Sequence, residues 1–451
     1  MIQKNEIYEV EIIDNGFMGE GIAKVDGFTI FVKDAIRGER VKIKILKVVS
    51  SHAFAKIEEI IEKSPSRVEP DCDIYSMCGG CTLRHMNYFD TLMLKKEAAE
   101  NTLKKELKRD IIIDEIIGME DPLYYRNKLE MPFAKGKDGK ATIGFFKPRT
   151  HEIVETDNCL IHNEKTFSLA KDIVKFVKDK NLSVYNEETG EGLLRHLIIR
   201  IGIHTGELMV LFVVNEEKIP HEKELIDYIT DLHPEVKVIA KNINDKNTNV
   251  ILGKRTISIF GTGYIEDTIG KFKFRISPRS FYQVNPVQVE KLYQKAVDLA
   301  ELTGEETVFD LYCGIGTIGI FASDKVKKLY GIDTVDAAII DARENAKLNG
   351  IENAEFFTGD VEYALKDLVE KQKVNADVIF VDPPRRGCEK EALDTIMKIA
   401  PEKVVYVSCN PATLARDIGI LEEKYHLEKI SAVDMFPYTS HVECVTILER
   451  K

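Results

Sequence analysis

The apolar run Val404-Val405-Tyr406-Val407 is followed at once by Ser408-Cys409-Asn410-Pro411, a turn that lifts a thiol off the end of a strand. A second run, Val378 to Val381, ends in Asp382-Pro383-Pro384-Arg385-Arg386-Gly387. Open α/β sheets bind ligands at the carboxyl ends of their strands, so both segments put reactive groups where a ligand would lie. A cysteine between Ser and Asn-Pro is poor core filler. Cys409 is expected to be a nucleophile that divides one hard reaction into easier steps. Ser440-His441-Val442-Glu443, close to the last residue, offers a base on a β-like segment. Glu443 is the better candidate, because partial desolvation raises a carboxylate's pKa; His441 is the alternative, against a plain loop hydrogen bond. Cys444 alternates to the opposite face as core, and Cys388 reads as structural.

A pocket for a cofactor is written upstream. Asp310-Leu311-Tyr312-Cys313-Gly314-Ile315-Gly316-Thr317 closes a strand with a glycine turn, where Gly314 lets the backbone approach a ligand closely. The next strand ends at Asp333, placed to accept both ribose hydroxyls of a nucleoside. The third ends at Gly359-Asp360, whose carboxylate can meet an adenine edge. The turn is not the GxGxxG of dinucleotide folds, and an acidic residue before the glycines suits a ligand with a cationic amino-acid part. S-adenosylmethionine is therefore favoured over NAD, and Cys313 is read as a packed turn residue.

A thiolate beside a methyl donor has one economical use. Uracil C5 accepts a methyl group only after something adds to C6; a base then removes the C5 proton and elimination frees the enzyme. In Ser280-Phe281-Tyr282-Gln283-Val284-Asn285 an aromatic and an amide could hold a flipped-out base, although the residues alone favour Phe281 as core.

A second cysteine set is Cys72, Cys78 and Cys81, with Cys159 available as a fourth thiolate. Four cysteines suit zinc or an iron–sulfur cluster; three close together and one distant favour a structural 4Fe–4S cluster.

The elements that must position these groups follow from periodicity. Residues 1–62 alternate as five short strands with glycine-bearing turns, the pattern of an OB-like β-barrel. Lys33, Arg37, Arg40, Lys42, Lys44 and Lys47 could line one face for nucleic acid, or be merely solvated. Residues 63–285 read as a central α+β domain carrying the cysteine loop. Residues 286–451 alternate helix and strand as a Rossmann-like doubly wound sheet, making the whole an α/β multidomain chain.

At 451 residues several cores are expected. No apolar run approaches a membrane span, and the first residues, Met1 to Glu6, lack a signal-peptide pattern, so a cytoplasmic protein is expected, acting as a monomer. A net charge of −12 argues mildly against a nucleic-acid partner, without removing one that binds a local basic face.

Taken together, these motifs resemble the RNA (uracil-5-)-methyltransferases, most closely the iron–sulfur 23S ribosomal RNA branch. The cysteine loop, DLYCGIGT, VDPPRRG, SCNPATLARD and DMFPYTSHVE occur in order over nearly the whole chain, and the barrel looks like a TRAM domain. The resemblance implies Cys409 as nucleophile and Glu443 as base. It implies S-adenosylmethionine contacts from Gln283, Tyr312, Asp333 and Asp382, with Asp382 also reaching the uracil imide. It implies that Phe281 packs on the target base, which reverses the core reading, and that Cys72, Cys78, Cys81 and Cys159 hold the cluster. Thr82 and Arg84 stand where relatives often carry glutamine, a departure expected to alter RNA contacts. Asp333 replaces a commoner glutamate. The target uridine, in ribosomal or transfer RNA, stays open.

Overall fold

Alternation builds the first unit: Val41, Ile43 and Ile45 point inward while their neighbours face out. In the computed structural model, which describes residues 2–451, Ile7–Glu11 pairs with Arg40–Val48 and that strand with His52–Glu62. His52–Glu62 runs parallel to Phe28–Lys33, which pairs with Gly21–Val25. Asp14 then pairs back to Ile22, so the first strand passes from one neighbour to the other and closes an OB-type barrel. The basic face is largely neutralised. Arg37 meets Glu97, Arg40 meets Glu9 and Glu62, and Lys42 meets Glu59.

The middle of the chain forms a six-stranded sheet in the order Arg255–Gly261, Val236–Ile243, Leu208–Val214, Leu194–Ile201, Lys128–Lys135, Ala141–Ile143. Helices Glu164–Asp179 and Glu222–Leu232 bury Ile173, Leu225 and Ile229 in the core on one face. The opposite face, through Ile198, Met209 and Leu211, joins the same core as Val289, Val308 and Phe380.

The C-terminal sheet has eight strands, in the order Ala354–Thr358, Lys328–Asp333, Thr307–Leu311, Val378–Val381, Lys403–Ser408, Glu443–Arg450, Tyr425–Val433, Glu115–Ile117. Thr307–Leu311 pairs in parallel with Lys328–Asp333 on one side and Val378–Val381 on the other, which makes the crevice between them the topological switch point. Asn410 caps helix Pro411–Leu421 through Ala412 N–H at 3.1 Å, with Pro at the first position. That cap fixes the turn carrying Cys409.

The cores do not follow the 285/286 cut read from the pattern. Ala99 and Leu103 of helix Tyr88–Leu107 pack with Phe309 and Leu414, and Glu115–Ile117 adds the edge strand. Phe274 and Ile276, of the hairpin formed by Ile265–Ile269 and Phe272–Ile276, share a core with Val289 and Val308. An amphipathic element records that it must be covered, not by which core. Among the described residues no helix is long and apolar enough to cross a membrane.

Candidate active site

Strand register brings the thiol to the carboxylate. Ser408 pairs antiparallel with Cys444, so the next residues outward, Cys409 and Glu443, meet at one sheet edge. Val381 pairs with Tyr406 in the neighbouring strand, which sets Asp382 at the same edge. Glu443 is only 5% exposed and has no ion pair among the described residues. Burial, then the charge of Asp382, holds its carboxyl well above the usual range, against the pull of Arg385. Burial likewise pushes the Cys409 thiol up to about 11, with Glu443 and Asp382 adding and Arg385 opposing. Burial above all, with these charges adding to it, keeps the thiol protonated. Neutralising either carboxylate, or placing a cation between them, favours thiolate.

Arg385 was not among the sequence-derived site residues, although it lies in a motif that was; its charge reaches Cys409, Glu443 and His441. The His441 ring is half-buried and held below the usual histidine range by burial and by Arg385, Lys95 and Arg126, so it is neutral near pH 7. Tyr293 was also missed. It is buried, donor or acceptor to Thr317 Oγ1 at 2.8 Å, and feels Asp382, Asp310 and Glu443. On the chain it is simply one apolar position of an amphipathic helix.

The glycine turn forms a cradle at the switch point. Tyr312, Gly314 and Gly316 all take left-handed φ, at 62°, 56° and 82°. A Cβ built at Gly314 meets nothing within 4 Å, so open space faces that turn; one at Gly316 would press on Phe356 at 3.0 Å. Asp333 accepts from Gly314 N–H at 2.9 Å and Val335 N–H at 2.8 Å, which stiffens the cradle's far wall. Asp360 begins the helix Val361–Lys366 and is exposed at the third strand end. The Tyr312 ring packs towards Cys388, a buried thiol that also accepts from Tyr406 Oη at 3.5 Å, consistent with its structural reading.

Asp310 lies beneath the turn. One carboxylate oxygen accepts from Gly319 N–H at 2.9 Å; the other is buried without a partner. Burial pushes this carboxyl up to about 8, and Asp382 up to about 7. Because the folded values exceed the unfolded ones, the folded state binds more protons between about pH 4 and pH 8, and stability is lost as pH rises through that window. The ligand-free protein should therefore melt at higher temperature near pH 6 than near pH 8. Asp310→Asn should flatten that trend in a melting series; an unchanged slope would contradict the assignment.

The strap before the sheet presents the base-contacting candidates. Ser280 Oγ donates to Asp341 at 2.6 Å, Arg200 Nη2 donates to Ser280 O at 2.9 Å, and Asn127 Nδ2 donates to Gln283 O at 2.9 Å. Between buried Ser280 and Tyr282, Phe281 is 70% exposed, which removes the core reading drawn from residues alone. Gln283 is half-buried on the same strap.

The four outlying thiols share one neighbourhood. Burial pushes Cys81 up to about 12 and raises Cys78 and Cys159; Cys81 feels Cys159, Cys78 and Cys72. Thr82 Oγ1, Arg84 Nη1 and His85 Nε2, just after Cys81, are buried without partners, and desolvated thiols beside unsatisfied donors suit an anionic thiolate centre. Nonetheless, among the described residues no three His, Cys, Asp or Glu form a group that could hold a metal ion.

A TRAM domain profile matches residues 3–57, and the profile of the tRNA (uracil-5-)-methyltransferases matches residues 88–451. The chain belongs to that family. Its relatives extend over the full length. An uncharacterized RNA methyltransferase of Clostridium acetobutylicum is 49% identical across 100% of this chain and 98% of its own length. One of Halalkalibacterium halodurans is 44% identical over 100% and 98%. The crystal structure of Pyrococcus abyssi tRNA (uracil-54, C5)-methyltransferase in complex with S-adenosyl-L-homocysteine has a TM-score of 0.78 at 27% identity, covering 98% of this chain and 100% of that one. Membership of the uracil-5-methyltransferase family makes the chain an RNA-methylating enzyme with an N-terminal TRAM barrel.

Proposed function

We propose that this enzyme methylates C5 of a uridine in RNA through a covalent bond between Cys409 and C6 of the ring. The observation that carries the reading is the facing pair at the sheet edge: a thiol opposite a buried carboxyl that has no ion pair among the described residues. S-adenosylmethionine, when bound, supplies an electrophilic methyl group on a sulfonium. Gln283, Tyr312, Gly314, Asp333, Asp360 and Asp382 would hold it, and the open cradle and the unpartnered Asp310 oxygen suit a ligand with a cationic end.

The protein's own part is then electrostatic and positional. Exposed Phe281 packs on the flipped base, and Gln283 and Asp382 meet its edge, so that C6 lies against Cys409. The Cys409 thiol passes its proton to water as positive charge gathers at the Asp382–Glu443 edge, and its sulfur bonds to C6. The ring's electron pair moves to C5, which takes the methyl group. Glu443, as carboxylate, removes the C5 proton; the electrons return to the ring and the C6–S bond breaks, regenerating the thiolate.

RNA carrying tritium at uridine C5 tests the whole sequence. Release of tritium in step with methyl transfer is expected, whereas methylation without release would end the proposal. The relative from Pyrococcus abyssi is a tRNA uracil-54 enzyme, which keeps transfer RNA beside 23S ribosomal RNA as substrate. Assaying both RNAs from a deletion strain decides between them.

We read the four outlying thiols, Cys72, Cys78, Cys81 and Cys159, as ligands of a structural 4Fe–4S cluster. Protein purified without oxygen should be brown, with broad absorption in the blue and bound iron and sulfide. Colourless protein with one zinc per chain would replace that reading.

A further inference from the structure

The loop that delivers Glu443 is held by the residues next to the thiol cluster. Thr82 and Leu83 both donate backbone N–H bonds to Tyr438 O, at 2.9 and 3.0 Å. The Arg84 guanidinium lies over the Tyr438 ring, 4.4 Å from its centroid, and is paired with Asp71. Tyr438 itself has a left-handed φ of 62°, a conformation a non-glycine residue keeps only where its surroundings over-determine it. The rest of the loop is fixed separately. Lys95 Nζ donates to Asp434 at 2.6 Å and to Phe436 O at 2.9 Å, and Tyr125 Oη donates to Pro437 O at 3.2 Å. Beyond Tyr438, the path to Glu443 is Thr439, Ser440, His441 and Val442.

Arg84, one of the departures from the family pattern, is buried between Asp71, Cys81 and Tyr438. We propose that Arg84, with the amides of Thr82 and Leu83, is a positioning element through which the four-thiol centre sets the geometry of the Glu443 loop. The thiol loop fixes Thr82 and Leu83, these fix Tyr438, and Tyr438 fixes the approach to Glu443. Disturbing the thiols should therefore loosen the loop from a distance, without touching the methyl-donor cradle. The activity arm of this inference rests on Glu443 being the base; the structural arm does not.

Hydrogen exchange on the full-length protein tests it, in Arg84→Met, Tyr438→Leu and Cys81→Ser. Amides from Thr439 to Glu443 should exchange roughly tenfold faster in each variant, while helix Glu164–Asp179 keeps wild-type protection. With a displaced base, kcat should fall by about tenfold or more while KM for the methyl donor is unchanged. Tyr438→Leu removes the ring that Arg84 covers and that also packs on Tyr88, but leaves every cysteine in place, so it should fold even if Cys81→Ser does not. Wild-type exchange at Thr439 to Glu443 in that variant and in Arg84→Met would overturn the proposal. Loosened exchange with kcat intact would keep the mechanical link but reject Glu443 as base.

Discussion

Cys409→Ala should lower methyl transfer by about 10⁴-fold or more, the scale on which nucleophile deletions fall. At the sheet edge the thiol is the one group among the candidate residues suited to add to a ring carbon; Glu443, Asp382 and Arg385 serve protons and charge. The side chain is half-buried at a turn set by the Asn410 cap and the strand register, so alanine should fold normally. The measurement has two parts. Radiolabelled methyl should no longer reach RNA, and RNA bearing 5-fluorouridine should no longer form a complex that survives denaturing electrophoresis. A surviving complex in the alanine variant would place the covalent bond elsewhere and defeat the mechanism.

Glu443→Gln should act later in the sequence. Methyl transfer to C5 proceeds, but the C5 proton stays, so a methylated protein–RNA adduct accumulates and turnover falls by about 10²–10⁴-fold. Glutamine is nearly isosteric, and removing a desolvated carboxyl should not destabilise the edge. The pH profile separates this role from a purely structural one. Burial holds Glu443 well above the usual carboxylate range, and only its deprotonated form is a base, so wild-type turnover should rise with pH through that raised value. In the glutamine variant the limb that belongs to Glu443 should vanish, leaving only the rise at higher pH that belongs to the Cys409 thiol. Rapid turnover with no adduct would eliminate Glu443 and leave neutral His441, half-buried in the same loop, as the next base.

Much of this site was readable from residues in a row. The turn after Val407, the glycine turn after Leu311 and the carboxylates ending strands are local patterns, and each occupies the strand end that its apolar β-like run foretold. Barrel strands followed from alternation. What local pattern does not carry is partnership between distant residues. The six basic barrel residues read as a candidate RNA face, yet several of them pair with Glu9, Glu59, Glu62 and Glu97. Phe281 read as core because aromatic residues usually are, whereas flanking anchors at Ser280 and Gln283 leave its ring outside.

Order along the chain therefore determined the chemistry on offer: one nucleophile, one base, a glycine cradle and four further thiols, each legible because its function demands particular residue types at short spacing. Tertiary structure alone decided which of these share a charge environment. The raised pKa values of Glu443 and Cys409 arise from burial, and burial depends on segments remote in sequence closing over them. It also decided that residues after Cys81 brace Tyr438, because hydrogen bonds between loops far apart in sequence leave no periodic trace in either one.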